Sequence, residues 1–155
     1  MNNIWAPWRM KYIARPKDSG CFFCEAPINE DPLVLIKLEH CFAIMNRFPY
    51  TSGHCMVAPY DHVGDLAGVG DAQFTEIMSL VKRITASIRS SMKPDGFNVG
   101  CNIGSVAGAG FADHIHIHIV PRWNGDTNFM PVLGDVHLIS EHIEETRDKI
   151  MRTLS

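Results

Sequence analysis

Positive charge is not in excess in this chain: 14 Lys and Arg stand against 17 Asp and Glu, a formal net charge of −3 over 155 residues. No overall basic field is available to hold a long nucleic acid, and that class of partner is not expected. The apolar stretches, such as 33–36 and 115–120, are far shorter than the roughly 20 residues a membrane-spanning helix needs, so no membrane partner is expected. The opening segment MNNIWAPWRMKYIARPK has basic residues but neither a continuous apolar core nor a small-residue cleavage site. It is therefore expected to belong to the mature protein rather than to a secretory signal. Five cysteines are an odd number, and only Cys21 and Cys24 are closely spaced, which fits a metal or redox pair in a reducing compartment, the cytoplasm, better than a disulfide framework.

With 46% hydrophobic and 20% charged residues and no biased tract, the composition is that of a globular protein. Its length fits one domain at roughly 100 to 200 residues per domain. Residues 1–20 are rich in Trp, Arg and Lys and read as an arm that wraps over the rest. Apolar stretches at 33–38, 41–45 and 54–58 read as strands, the last two joined by the turn-prone PYTSG. From Asp71 the period changes: Phe74, Ile77, Met78, Val81, Ile84, Ile88 and Met92 form one helical stripe, with Asp71 placed to cap its start and 93–96 to end it. Period two returns at 97–103 and 114–120. A last amphipathic helix is expected from Ser140, with acidic residues early and basic residues late, as the helix dipole favours. Strands flanking one long helix make the fold class α+β.

The chemistry concentrates in HIHIHIV at 114–120. Strict alternation on a strand points His114, His116 and His118 to one face and the isoleucines to the other. Same-face neighbours lie roughly 6.6 Å apart and the outer pair roughly 13 Å, whereas Zn–N bonds are about 2 Å long. One ion cannot easily take all three. The pattern implies a division of labour, in which an end histidine serves a metal while the others present a nucleophilic or proton-donating imidazole. The preceding segment, 100–110, is rich in residues without bulky side chains, and such a loop lets backbone N–H groups approach an anion. A phosphate cradle leading into three imidazoles suggests phosphoryl or nucleotidyl transfer.

Cys21-Phe22-Phe23-Cys24 has metal-ligand spacing, with a redox dithiol as the competing reading. A zinc site needs two more ligands, and His62 with His114 would complete a Cys2His2 tetrahedron.

HIHIHIV resembles the signature of the histidine triad superfamily of nucleotide hydrolases and transferases. NRFPYTSGH at 46–54, the loop 102–110 and Pro121-Arg122-Trp123 are similar to family segments in family order, over roughly residues 21–130. Pro121-Arg122 resembles the fragile-histidine-triad branch. Trp5-Ala6-Pro7-Trp8-Arg9, the Cys pair and the run from Trp123 to Phe129 resemble a microbial subgroup that includes diadenosine tetraphosphate phosphorylases.

The resemblance implies a five-stranded antiparallel sheet with a long helix and a C-terminal helix over 140–155, joined across a homodimer. It implies cleavage of a dinucleoside polyphosphate through a covalent nucleotidyl intermediate on His116. His118 would bind the α-phosphate and assist the leaving group, and His54 would support the site. Asn46 matches a ribose contact, Asn102 a phosphate contact, and Gly104, Gly108 and Gly110 the loop around the phosphates. Cys21, Cys24, His62 and His114 match the ligands of the zinc-bearing members. Trp123 would stack on a base or plug the dimer edge. Gly110-Phe111 stands where phosphorylases of this subgroup carry Gly-Ser, so the acceptor, phosphate or water, is open. The rival expectations are a nucleotide-binding adaptor with little turnover, a hydrolase of another nucleoside phosphate ester or amidate, and a thiol redox protein using Cys21 and Cys24.

Overall fold

The computed structural model describes residues 20–126, 139 and 141–154. The tryptophans of the N-terminal arm and the Thr127–Phe129 end of the Trp123 motif lie outside them, as does Ser140. Five strands, β1 (Val34–Lys37), β2 (Cys41–Met45), β3 (Cys55–Pro59), β4 (Gly96–Gly100) and β5 (Ile117–Arg122), form one antiparallel sheet in the order β1-β2-β3-β5-β4. Helix α1 (Phe22–Glu25) precedes the sheet, α2 (Asp71–Met92) lies between β3 and β4, and α3 (Ile143–Thr153) follows β5. The α+β expectation and the five-stranded sheet are thus both found.

Central strands β2 and β3 are buried at every position, whereas β4, at an edge, has its last three residues exposed. Helix α2 packs on β2, β3 and β5, and α3 packs on α2. Leu80, Ile84 and Ile88 of α2 are fully buried; each such side chain contributes about 1.5–3 kcal/mol by leaving water. The buried stripe is displaced from the expected one. Phe74 and Met78 are 42% and 41% exposed, while Gln73 and Ser87 are buried. Both polar groups are satisfied where they lie: Gln73 Nε2 donates to Asp61 Oδ2 at 3.1 Å, and Ser87 Oγ donates to the Ile150 carbonyl at 2.7 Å, stitching α2 to α3.

Element boundaries also move. Gly70 is the N-cap of α2 and Asp71 is its first residue, so Asp71 complements the dipole rather than capping. Lys93, in the left-handed region at φ 50°, ends the helix as expected. Strand β4 stops at Gly100, and α3 begins after His142 rather than at Ser140. The paired part of the histidine strand begins only at Ile117, opposite Val57, although β3 runs on to Pro59; the Ile115 N–H bonds instead to the Val63 carbonyl. His114 and His116 therefore precede the ladder and are held by other contacts.

Candidate active site and metal centre

The turn between β2 and β3 supplies the first histidine. The Tyr50 N–H donates to Nδ1 of His54 at 3.1 Å, so that nitrogen carries a lone pair and the ring proton resides on Nε2. Nε2 lies 2.9 Å from Nδ1 of His118 on β5 and donates to it. The proton of a neutral His118 is then on its own Nε2. His116 is set the opposite way. Its Nδ1 lies 2.9 Å from the His114 carbonyl, an atom that only accepts, so Nδ1 holds the proton and Nε2 keeps a lone pair. The rings of His116 and His118 pack edge to face with centroids 4.8 Å apart.

Electrostatics keep this trio neutral. Burial, reinforced by His118 and His116, lowers the pKa of His54 to about 3. Burial and His116 lower that of His118 to about 4. Burial also lowers His116, against the opposing effect of its bond to the His114 carbonyl. The pair can therefore act at neutral pH as one lone pair and one N–H donor.

Beside His118 opens a cavity of about 230 Å³, lined among others by Tyr50, Asn98, Gly100 and Asn102. Asn102 Nδ2 donates to the Gly108 carbonyl at 3.3 Å across the loop. That loop turns at Gly104 and Gly108, whose φ values of 81° and 91° disfavour a residue with a side chain. Gly110 is exposed on the same loop. Asn46 Oδ1 accepts the Phe48 N–H at 2.9 Å, and its Nδ2 lies 3.4 Å from both ring nitrogens of His54, so it braces the turn beside the relay. Trp123 sits in the turn after β5, at the end of that strand away from His118, with its N–H donating to Asp126. It does not line the His118 cavity.

The second cluster joins three separate segments. Cys21 Sγ lies 3.4 Å and Cys24 Sγ 3.5 Å from His114 Nδ1, and Cys24 Sγ lies 3.4 Å from His62 Nδ1. All four donor atoms fall within 4.8 Å of one another. An ion with bonds of about 2.1–2.3 Å spaces tetrahedral ligands roughly 3.6 Å apart, so this donor set fits zinc. The far nitrogen of His114, Nε2, donates to the Pro59 carbonyl at 3.0 Å, which fixes the ring with Nδ1 toward the thiols. His62 arrives through a close backbone approach. The Ile115 N–H donates to the Val63 carbonyl, and a Cβ at Gly64 would lie 2.7 Å from the Ala112 carbonyl oxygen, a contact only glycine avoids.

Two aromatic residues, Tyr50 and Phe23, escaped sequence reasoning, and Phe111, singled out there, takes a place it did not foresee. The Tyr50 ring packs on His54 at 4.5 Å and Phe23 stacks on His116 at 4.5 Å. Phe111 packs on Phe22 and Phe23 at 6.1 and 5.6 Å. Phe111 thus joins an aromatic cluster with α1 instead of offering a hydroxyl. Adjacency to the recognised motifs was the available signal, since Phe23 lies inside the Cys pair and Tyr50 four residues before His54.

Among known proteins, the family model for the HIT domain matches residues 29–125. An AP-4-A phosphorylase of Mycobacterium tuberculosis is 35% identical over 158 residues, spanning 95% of this chain and 81% of that protein. An adenosine 5'-monophosphoramidase of Schizosaccharomyces pombe is 32% identical over 106 residues, covering 68% of this chain and 76% of its own length. The crystal structure of a Zn-bound histidine triad family protein from Mycobacterium smegmatis superposes with a TM-score of 0.71 at 28% identity, over 86% of this chain and 92% of that one. In sequence and in fold, this chain belongs to the HIT domain family.

Proposed function

We propose that the protein cleaves a phosphoanhydride bond in a dinucleoside polyphosphate such as diadenosine tetraphosphate, through a nucleotidyl intermediate on His116. The hydrogen-bond pattern carries this reading: it leaves Nε2 of His116 as a lone pair and Nε2 of His118 as a donor, side by side. In the first step His116 Nε2 attacks the α-phosphorus, a P–N bond forms, and the bond from phosphorus to the bridging oxygen breaks. The electron pair of that bond leaves with the departing nucleotide. His118 Nε2–H steadies charge on the phosphate oxygens and the leaving group, and His54 holds His118 in the donating tautomer. In the second step the acceptor oxygen attacks phosphorus, a P–O bond forms, the P–N bond breaks with its electron pair returning to His116 Nε2, and the proton of the acceptor passes to solvent.

Asn102 and the loop of Gly104, Gly108 and Gly110 are assigned to the phosphates and Asn46 to the ribose side, while Trp123, at the far end of β5 from the His118 cavity, is assigned to the dimer edge. Cys21, Cys24, His62 and His114 are assigned to a structural zinc, whose chemistry is to cross-link α1 to the histidine segment. A homodimer is part of the reading, supported by β4 at the sheet edge with Val99 45% exposed.

The test is product analysis with diadenosine tetraphosphate, with and without inorganic phosphate. ADP plus ATP formed only with phosphate identifies a phosphorylase, the outcome favoured by the mycobacterial relative. AMP plus ATP without phosphate identifies a hydrolase, which the aromatic packing of Phe111 favours. Tight binding with no turnover of any nucleotide tested overturns the enzymatic reading in favour of an adaptor.

A further inference from the structure

Helix α1 is a single turn of four residues, and its N-cap, Cys21, makes no side-chain capping bond. A helix this short does not hold itself in water, because its first turn fixes several backbone dihedrals for one hydrogen bond. Two ligands of the Cys21, Cys24, His62, His114 cluster sit on it, Cys21 as its N-cap and Cys24 as its third residue. Between them lies Phe23, 1% exposed, stacked on the His116 imidazole with centroids 4.5 Å apart and planes at 26°, and packed on His114 at 5.3 Å. His116 is held a second time by the main chain of His114, which accepts its Nδ1–H. Both restraints on His116, one a ring and one a carbonyl, thus hang from residues anchored in the same cluster.

We propose that Phe23 is a positioning residue that transmits occupancy of the Cys2His2 cluster by a divalent cation to the orientation of His116. This rests on the reading of His116 as the nucleophile. A filled cluster pins α1 on either side of Phe23, at Cys21 and Cys24, the pinned turn presses the Phe23 ring flat on the imidazole, and the imidazole is kept with Nε2 toward the phosphate position. With the cluster empty, α1 loosens and the ring of His116 samples other rotamers. Misplacement of a reacting group by about 1 Å costs on the order of 10²-fold in rate.

The experiment uses the full chain, purified reduced, with zinc as the probe. Two proteins are compared, wild type and Phe23→Leu, each loaded with zinc, stripped by a chelator and reloaded. Readouts are zinc affinity by chelator competition, the imidazole ¹⁵N signals of His116, and kcat and KM separately. In wild type, stripping should convert the single Nδ1–H pattern of His116 to an averaged one, and zinc should restore it. Loaded Phe23→Leu should bind zinc within about threefold of wild type and keep KM within about threefold. Its kcat should fall about ten- to hundredfold, and its His116 signals should already be averaged.

His116 signals in wild type that are the same with and without zinc overturn the proposal. So does a Phe23→Leu enzyme with raised KM and unchanged kcat, which would place Phe23 on the substrate. Should stripped wild type lose its sheet signal, loaded Phe23→Leu decides alone. If wild type turns over no nucleotide, the ¹⁵N comparison still decides the coupling, so failure of the enzymatic reading is distinguishable from failure of this one.

Discussion

Nε2 of His54 lies 2.9 Å from Nδ1 of His118, a contact between residues 64 apart in the chain. With the Tyr50 N–H fixing the opposite nitrogen of His54, the contact dictates where the His118 proton sits. His54→Leu removes the donor and frees the His118 tautomer. We expect kcat to fall about ten- to hundredfold, the equivalent of about 1.4–2.8 kcal/mol, while His54→Gln, which can still accept and donate, retains more. Steady-state kinetics on diadenosine tetraphosphate compare the two.

His116→Ala should reduce turnover by at least about 10²–10⁴-fold and abolish nucleotidyl–enzyme on acid-quenched mass spectra. The sheet should persist, since the Nδ1 bond of His116 reaches only to His114. Circular dichroism checks the fold, and normal turnover by this variant would remove His116 from the nucleophile role.

Acid should destabilise the protein through the same histidines. His54 and His118 have folded pKa values lowered to about 3 and about 4 by burial, below an ordinary value of 6.5. Between those limits the unfolded chain binds more protons than the folded one, so stability is present above about pH 6.5 and is lost as pH falls toward 4. Thermal melts from pH 8 to pH 4 should show Tm declining over that window. His54→Leu should flatten the decline.

Freshly purified reduced protein should contain one zinc per chain by metal analysis. Cys24→Ser should lose the metal and lower Tm, because Cys24 Sγ is near both His62 and His114. A metal-free preparation with wild-type stability would sink the Cys21, Cys24, His62, His114 assignment.

Ile84, fully buried on the sheet-facing side of α2, should cost about 2–5 kcal/mol when changed to Ala. Urea unfolding measures it. Phe74→Ala, on the exposed side of the same helix, should cost far less.

Helix α2 was legible to within a residue of its ends, because a stripe spaced by three and four from Phe74 to Met92 is long enough to define one helix. Which side of it is buried was less legible. Phe74 and Met78 are as apolar as Leu80, and only the position of β2, β3 and α3 decides that Leu80, Gln73 and Ser87 turn inward. The histidine alternation was equally plain, yet the strand pairing starts at Ile117, and the Ile115 N–H turns instead to the Val63 carbonyl.

By itself the sequence determined the local periods: two at the histidines, three and four along α2, and the Cys-x-x-Cys spacing. These follow from covalent geometry and near neighbours, so a short window contains them. Tertiary structure alone decided which nitrogen of each histidine bears its proton and that Phe23 meets His116. It also brought together Cys21 and His114, 93 residues apart, and Cys24 and His62, 38 apart. Each of these depends on the direction of a donor or the face of a ring supplied by a distant segment. Such directions exist only once the sheet has ordered β3 beside β5.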